Sequence, residues 1–482
     1  MSASQTRLGI PGTAAARRSP GRHRGGRLGR AVYLVPPLLA IAVVIAFQLF
    51  NSNHAPSTQT GAGAPALAVN NAADLTNPQT EISGLGAVDT TDVDRRITFW
   101  KQRTTSAPTS EDSWSALGDL FDLKGRMTGD ITQFLAAQQA YQTVISIDAN
   151  SSTGHAGSAR ELATLHDFAG ALTEATATLD LNPNALGALG VVFDSSIELG
   201  HISDAQGALA DLQHLLPSPS VTVRQARLDF ITGDTVAAVA DAEAAAADDT
   251  AAGDLPTNIA FYDYTAAEYQ LLAGNLDTAQ TDYQNALALL PGYPLAIYGE
   301  GRIAYARGDL QDAISLVKQA TDALPRPDML AFLGDLYQLT GDTAKATDQY
   351  ATVDFIASMT ASSGAGHVYD REYGLFLSDH DRNVGQGLTL ATNELAVRKD
   401  VYGYDAYAWA LHANGRDADA LAAIRNAMAL GTADAKIYLH AGLIEIANGL
   451  TDQGKDDLQL AMTLNPNVSP IVVQQARDAL AQ

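Results

Sequence analysis

Acidic residues near position 380 have a spacing that could serve metal chemistry. Asp379, Asp381 and Asn383 alternate along the chain, as the first ligands of a calcium-binding loop do. Such a loop also needs a glycine at its sixth position and a bidentate acid at its twelfth. Val384 and Leu390 occupy those positions here. The segment is therefore predicted to be a polar turn between helices, and no metal is expected.

Two further short motifs contain residue types used in nucleotide binding or catalysis. Gly299, Gly301 and Ala304 match a relaxed dinucleotide-binding pattern, but that pattern needs a preceding strand and lies here inside a predicted helix. Ser315 and Lys318 share one helical face without any supporting motif. The ten histidines are dispersed, and the chain has no cysteine for thiol catalysis or thiolate metal sites. We therefore predict a non-catalytic protein without a cofactor.

The elements that position these residues are indicated by a glycine that recurs, in most units, every 33 or 34 residues. Five residues after each of these glycines comes another small residue, and several units end in proline. Self-similarity at such a period indicates stacked supersecondary units. The recurring glycines are Gly200, Gly233, Gly274, Gly308, Gly341, Gly415 and Gly449.

The best-preserved unit shows why each repeat should be a helical hairpin. Leu330, Leu333 and Tyr337 form the apolar stripe of one helix, and Gly341 lies where that helix must end. A second helix follows and carries the small residue Ala346 where the two helices are expected to cross. Such a hairpin cannot bury its apolar face alone, so neighbouring units must stack.

This pattern resembles the tetratricopeptide repeat (TPR) family. Units in the same phase recur across residues 110–482, which gives about nine or ten repeats. The resemblance implies an all-α superhelical solenoid, and Ile471 to Leu480 is predicted to be its C-terminal capping helix. The stretches around residues 240–260 and 355–400 depart from the regular spacing, and the second is expected to hold a degenerate unit.

The resemblance also implies where a partner would bind, because the first helices of such arrays line the concave face. Aromatic residues beside acids are the types that anchor a peptide and orient its charges. The alternative for each aromatic residue is packing between neighbouring helices. The residues assigned to the groove are Tyr298, Arg302, Tyr305, Asp335, Gln338, Phe376, Asp405, Trp409 and His412.

The N-terminal part of the sequence predicts a membrane anchor. Residues 1–30 hold seven arginines and no acids, and residues 31–50 are uncharged over a length that spans a bilayer core of about 30 Å. The arginine-rich side should stay in the cytoplasm. We therefore predict a basic cytoplasmic tail, a single-pass signal anchor and an extracytoplasmic repeat domain. The alternative is a cleaved signal peptide, whose apolar stretch usually has about 7–15 residues.

Residues 51–109 differ in composition from both neighbours. They are rich in Ala, Thr, Asn, Gly and Pro with little periodicity, which predicts a flexible tether. Its far end, residues 91–104, contains Ile97, Phe99 and Trp100 and is expected to form a short helix on the first repeat. The tether would hold the repeats at a distance from the membrane.

The net charge restricts the class of partner. The chain carries a formal charge of −24, which repels phosphate backbones and argues against a nucleic-acid partner. We predict a protein-interaction scaffold of the cell envelope that binds a peptide or protein in the concave groove. The alternative is an accessory subunit of a membrane or envelope assembly, such as pilus, secretion or polysaccharide machinery, that associates through its convex face or its membrane segment.

Overall fold

The computed structural model describes residues 90–128, 130–253, 256–362 and 368–482. Within these ranges the regular structure consists of 22 helices and no strand, which confirms the all-α prediction. The basic tail, the apolar segment 31–50 and residues 51–89 of the tether lie outside the described residues. In the part that is described, no helix has both the length and the apolar character needed to cross a bilayer.

Ten consecutive helical hairpins make up the described array, with one extra helix before them and one after. Each hairpin pairs an even-numbered helix, from α2 to α20, with the helix that follows it. The helices are α1 Thr91–Ser106, α2 Glu111–Thr128, α3 Ile131–Ile147, α4 Ser152–Thr164, α5 Phe168–Leu181, α6 Leu186–Glu198, α7 Ile202–Leu215, α8 Pro219–Ile231, α9 Thr235–Ala252, α10 Pro256–Leu272, α11 Leu276–Leu289, α12 Pro294–Ala306, α13 Leu310–Ala323, α14 Pro327–Leu339, α15 Thr343–Ser362, α16 Asp370–Asp379, α17 Val384–Val397, α18 Val401–Ala413, α19 Asp417–Ala427, α20 Ala435–Ala447, α21 Thr451–Leu464 and α22 Val472–Ala481.

The recurring glycine lies in the turn inside each regular hairpin. Gly341, for example, has a φ of 79°, a backbone conformation that residues with a Cβ rarely adopt. In two hairpins a different residue takes the left-handed position: His166 with φ of 62°, and Asp381 with φ of 52°. The second of these is the degenerate unit, formed by α16 and α17. Its turn needs no glycine because aspartate tolerates this conformation better than most residues.

The irregular spacing near residue 250 has a simple structural cause. The second helix of the fourth hairpin, α9, runs for 18 residues, whereas α7 and α11 each run for 14. Gly253 ends α9 with a φ of 69°. One additional helical turn in α9 and another in α10, which runs for 17 residues where α12 runs for 13, lengthen the interval between Gly233 and Gly274 without disturbing the stacking of the repeats.

Both ends of the array are covered by a helix outside the hairpins. Val93 and Ile97 of α1 are buried against Leu117 and Leu120 of the first hairpin. This helix falls within the range predicted as tether, at the end where a short helix was expected. At the other end α22 buries its apolar face, including Val472, on the last hairpin, as expected for a capping helix.

Repeats that are far apart in sequence touch along one continuous line. The Oγ1 of Thr432 donates to the carbonyl of Ile231 at 2.5 Å, and the Nδ2 of Asn467 donates to the carbonyl of Ala306 at 2.8 Å. We call this line of contact the seam. Its residues are Glu198, Gly200, Ile231, Gly233, Gly274 and Ala306 on one side, and Arg398, Lys399, Gly431, Thr432, Leu464 and Asn467 on the other.

Three turn glycines, Gly200, Gly233 and Gly274, are constrained both by their positive φ and by close contact with backbone across the seam. A Cβ at Gly200 would lie 2.6 Å from the carbonyl oxygen of Lys399, and one at Gly233 would lie 2.6 Å from that of Gly431. At Gly308 and Gly341, by contrast, a Cβ would meet nothing within 4 Å. The first helices of successive hairpins, such as α4 and α6, contact one another, which places them on the inner side of the curve. We call the space that they line, enclosed by the seam, the lumen.

Candidate partner-binding surface

Two cavities open along the lumen. The first luminal cavity, of about 420 Å³, is lined by Asp119, Arg160 and Arg224 among the first four hairpins. The second luminal cavity, of about 350 Å³, is bordered by the fourth to seventh hairpins and, across the lumen, by Tyr402 of the ninth. Both volumes lie within the range of about 300–1,000 Å³ that is typical of ligand pockets.

Aromatic rings and paired charges line the second luminal cavity. Arg302 on α12 forms an ion pair with Glu268 on α10, and its guanidinium carbon lies 4.9 Å from the centre of the Tyr298 ring. Arg302 also donates to the hydroxyl of Tyr283 at 2.9 Å, and that hydroxyl donates to Glu268 at 2.5 Å. Tyr264 stands one helical turn before Glu268 and lines the same cavity. Neutral aromatic surface is therefore exposed beside charges that already have partners.

The same three-residue arrangement occurs beside the first luminal cavity. The hydroxyl of Tyr141 on α3 donates to Asp119 on α2 at 2.5 Å, and Arg160 on α4 donates to that hydroxyl at 2.6 Å. We call this set, an acid on one first helix, a tyrosine on the second helix and a cation on the next first helix, a clasp. Each clasp joins two successive hairpins on the luminal side.

A histidine is the cation of a third clasp. The Nε2 of His380 lies 2.8 Å from Asp335, which also accepts from the hydroxyl of Tyr350 at 2.8 Å. The Nδ1 of His380 lies 2.8 Å from the carbonyl oxygen of Phe376. Because both ring nitrogens face acceptors, the ring fits best as the protonated imidazolium. Burial opposes that charge, but the hydrogen bond to Asp335 outweighs it and raises the pKa of His380.

Comparison with protein families places these hairpins in a known class. A model of the tetratricopeptide repeat family matches residues 270–336, which include helices α11 to α13 and most of α14. The hairpins within residues 270–336 are therefore tetratricopeptide repeats, as the sequence pattern predicted. The recurring turn glycines and the small residues five positions after them are the features on which the resemblance was based.

Solved TPR structures resemble the array only distantly. A TPR protein from Parabacteroides merdae is 17% identical, with 55% of this chain and 99% of that chain covered and a TM-score of 0.30. PilW, a type IV pilus biogenesis factor, is 18% identical, with coverages of 44% and 93% and a TM-score of 0.35. Human IFIT1, solved with PPP-AAAA, is 14% identical, with coverages of 81% and 95% and a TM-score of 0.41. A search of curated proteins found no match. These likenesses indicate no partner or pathway.

Of the groove residues predicted from the TPR pattern, Tyr298 and Arg302 line the second luminal cavity. Three predicted aromatic residues instead pack inside the array: Tyr305 is 9% exposed, and Phe376 and Trp409 are each 3% exposed. The ring of Tyr305 packs edge-on against Phe332, and that of Trp409 stacks on His440. For these three rings the structure shows the packing alternative.

The predicted polar groove residues have different surroundings. Asp335 is buried in the third clasp, and Asp405 is buried where it accepts from the Nδ1 of His440 at 2.8 Å. His412 is half-buried, with its Nδ1 2.6 Å from Asp417. Gln338 is exposed to solvent. The nine residues therefore do not form one surface, and their role in binding stays a prediction.

Several luminal residues were missed by the sequence analysis. Tyr264 and Glu268 lie one 34-residue period before Tyr298 and Arg302, so applying the period once more would have found them. The same register places Tyr402 on the concave face, but it does not predict that Tyr402 reaches this cavity from a hairpin more than one hundred residues away. That juxtaposition depends on the seam.

The calcium-like segment is the turn of the eighth hairpin. Asp379 accepts a hydrogen bond from the Nε1 of Trp409 at 2.7 Å, and Asp381 has a left-handed backbone with a φ of 52°. Across the described residues, no group of three or more His, Asp or Glu side chains is arranged to hold a metal ion. Asp379 thus serves packing between the eighth and ninth hairpins.

Proposed function

We propose that this TPR protein is a non-catalytic scaffold that binds a protein or peptide partner on its luminal surface. The observation that carries the proposal is the second luminal cavity, where Tyr264, Tyr298 and Tyr402 converge from three different hairpins. Aromatic side chains with a polar tip are enriched at the centres of protein interfaces because they combine apolar contact with hydrogen bonding. TPR proteins as a class bind proteins or peptides, which supports the same conclusion.

The charges around this cavity favour a partner that inserts a neutral side chain. Arg302 is paired with Glu268, and Arg326 is paired with Asp328 at 3.0 Å. A partner charge entering the cavity would have to displace one of these internal partners. An aromatic or large aliphatic side chain would instead pack on the exposed rings without breaking an ion pair.

Photo-crosslinking in the full-length protein tests the proposal. A photoreactive phenylalanine in place of Tyr298 should capture the partner from living cells. The same residue in place of Val236, which is 83% exposed at the start of α9, is the control and should not. Equal capture at both positions, or capture only at position 236, would contradict binding in the lumen. The captured protein is then identified by mass spectrometry.

We also propose that the protein is held by a single N-terminal anchor with its repeats outside the cytoplasm. The uncharged residues 31–50 and the seven arginines before them support this orientation. A reporter that is active only outside the cytoplasm, fused after Gln482, should be active. A fusion active only in the cytoplasm would overturn the orientation, and release of a shortened soluble product would show cleavage.

The alternative function, an accessory subunit of an envelope assembly, would use the outer surface. Phe355 is 52% exposed on α15, and Met359 is exposed one helical turn later. Such a subunit should co-purify in fixed stoichiometry from mild detergent, and Phe355→Ser should abolish that association. If Tyr298→Ala abolishes it while Phe355→Ser has no effect, the luminal scaffold is supported instead.

A further inference from the structure

The seam decides how a partner could reach the lumen. It runs from the third to the sixth hairpins on one side and from the eighth hairpin to the linker before α22 on the other. Further contact extends it toward the N-terminus, because the guanidinium of Arg398 lies 5.5 Å from the ring of Phe168 in the second hairpin. With these contacts in place, the two sides of the array are joined along the seam.

An ion pair at the seam joins residues two hundred positions apart. The Nε of Arg398 lies 2.7 Å from the Oε2 of Glu198, and both side chains are buried. The backbone N–H of Lys399 donates to the carbonyl of Glu198 at 2.8 Å, so the side chain and the backbone of one residue are both held. Burial alone would raise the pKa of Glu198, but the charges of Arg398 and Arg227 lower it. The carboxylate is therefore ionised and dependent on these cations.

The charges around this ion pair are incompletely satisfied. Glu394 is fully buried and lies 3.4 Å from Arg398 and 3.2 Å from Arg371, yet neither of its carboxylate oxygens accepts a hydrogen bond. Burial raises the pKa of Glu394 even though Arg371 and Arg398 oppose the shift. Buried ion pairs with imperfect geometry recover only part of their desolvation cost. Parting the seam would return these groups to water, so part of the cost of opening is offset.

A second part of the seam is uncharged. Thr432 is buried and donates to the carbonyl of Ile231, while Ile231 belongs to one apolar cluster with Val401 and Ile437 of the ninth and tenth hairpins. This part has no desolvated charge to favour opening. Of the two parts, only the charged one has a cost of opening that is partly offset by the return of charges to water.

We infer that the seam is a gate on the lumen, closed in this structure and held closed by the Glu198–Arg398 ion pair. The inference rests on the proposed function only in taking the lumen as the binding surface. It sets the kind of partner that fits: one that binds after the seam parts, or one whose free chain end enters along the lumen.

Cysteine accessibility tests the gate without a known partner, because the chain contains no cysteine. Thr265 on α10 lines the second luminal cavity and donates to the carbonyl four residues earlier at 2.9 Å. Thr281 on α11 of the same hairpin makes the equivalent bond at 3.0 Å but is exposed. Thr265→Cys and Thr281→Cys therefore form a matched pair. The probe is a maleimide carrying a large polyethylene glycol chain, with N-ethylmaleimide as the small reference reagent.

With an intact seam, Thr265→Cys should react with the large reagent far more slowly than Thr281→Cys. With the small reagent the difference in rate between the two positions should be smaller. Adding Arg398→Ala should raise the reaction rate of the large reagent at position 265 by about tenfold or more. A tenfold change corresponds to a free energy of seam opening that is lower by about 1.4 kcal/mol. Its rate at position 281 should not change. Arg416→Ala, which removes an exposed ion pair with Asp419 away from the seam, is the matched control and should change neither rate.

Thr432→Val loosens the uncharged part of the seam with little change in side-chain volume, and it decides the test if Arg398→Ala fails to fold. The gate is overturned if the large reagent reacts equally fast at positions 265 and 281 in the otherwise unchanged protein. It is also overturned if neither seam substitution alters the rate at position 265. Photo-crosslinking from position 298 could still succeed in either case. Failure of the gate hypothesis can therefore be distinguished from failure of the proposal that a partner binds in the lumen.

Discussion

Glu161 shows how the packing of the first two hairpins changes the pKa of a buried carboxyl group. It is fully buried on α4 beside Asp122, and the Nε of Arg160 lies 3.0 Å from its Oε1. Burial, with the nearby charge of Asp122, raises the pKa of Glu161 to about 8. The side chain is thus protonated at neutral pH.

This raised pKa makes the first hairpins sensitive to alkaline pH. Protonated Glu161 contributes its full stability below its ordinary pKa of 4.5, and that contribution is lost as the pH rises through about 8. Glu161→Gln cannot ionise, so at pH 9 it should be more stable than the unchanged protein by about 1–3 kcal/mol. Hydrogen exchange in α2 to α5 at pH 5 and pH 9 measures this. Glu111→Gln, at a partly exposed position, is the control, and an equal effect there would refute the assignment.

At the residue scale, the sequence predicted which residues lie on the inward-facing helices better than it predicted which neighbours cover them. Tyr298 and Arg302 were found because the repeat register places them on a first helix facing inward. Trp409 and Phe376 follow from the same register, but neighbouring rings cover them, and register alone cannot show which rings a neighbouring hairpin will bury. The stacked pair of Trp409 and His440 depends on side chains from two different hairpins.

At the element scale, glycines inside the first helices set how closely the two helices of a hairpin and the next hairpin pack. A Cβ at Gly299 would lie 2.2 Å from the ring of Tyr283, and one at Gly334 would lie 2.4 Å from the ring of Tyr350. The same tyrosines take part in the clasps. At Gly334 the ring of Tyr350 fills the space that a side chain would need.

Adding one methyl group at such a glycine should be costly. Gly299→Ala forces the Tyr283 ring to move and weakens its hydrogen bonds to Glu268 and Arg302, so we expect a loss of about 1–3 kcal/mol in the fifth and sixth hairpins. Gly292→Ala lies in the same region, but there a Cβ would meet nothing within 4 Å, so this control should be nearly neutral. Hydrogen exchange of α11 and α12 compares the two. Similar protection in both variants would contradict the role of the ring.

The sequence predicted the hairpins well because each carries its own signals, and it failed where those signals change. The turn of the eighth hairpin uses Asp381 and Asn383 at positive φ instead of glycine, which is why that unit looked degenerate. In the second hairpin His166 replaces the glycine in the same way. A period defined by glycine cannot detect residues that adopt the same backbone conformation without being glycine.

At the scale of the whole array, the seam could not have been predicted from the sequence. Gly200 and Gly308 occupy the same position in the repeat, yet only Gly200 meets the backbone of a distant hairpin. The contact depends on how small rotations between successive hairpins accumulate over several repeats. No local pattern encodes that sum, so the predicted concave groove gave no sign of the contact between distant hairpins.

A distance across the seam tests this account most directly. His201 and Lys399 are exposed residues that flank the contact between Gly200 and the Lys399 carbonyl, and the chain offers no competing thiol. Spin labels at His201→Cys and Lys399→Cys should give one short, narrow distance distribution in the full-length protein. The pair His201→Cys and Val236→Cys, on neighbouring hairpin turns, checks that the repeats stack. A narrow distance for that pair together with a long or broad one across the seam would contradict the closed lumen.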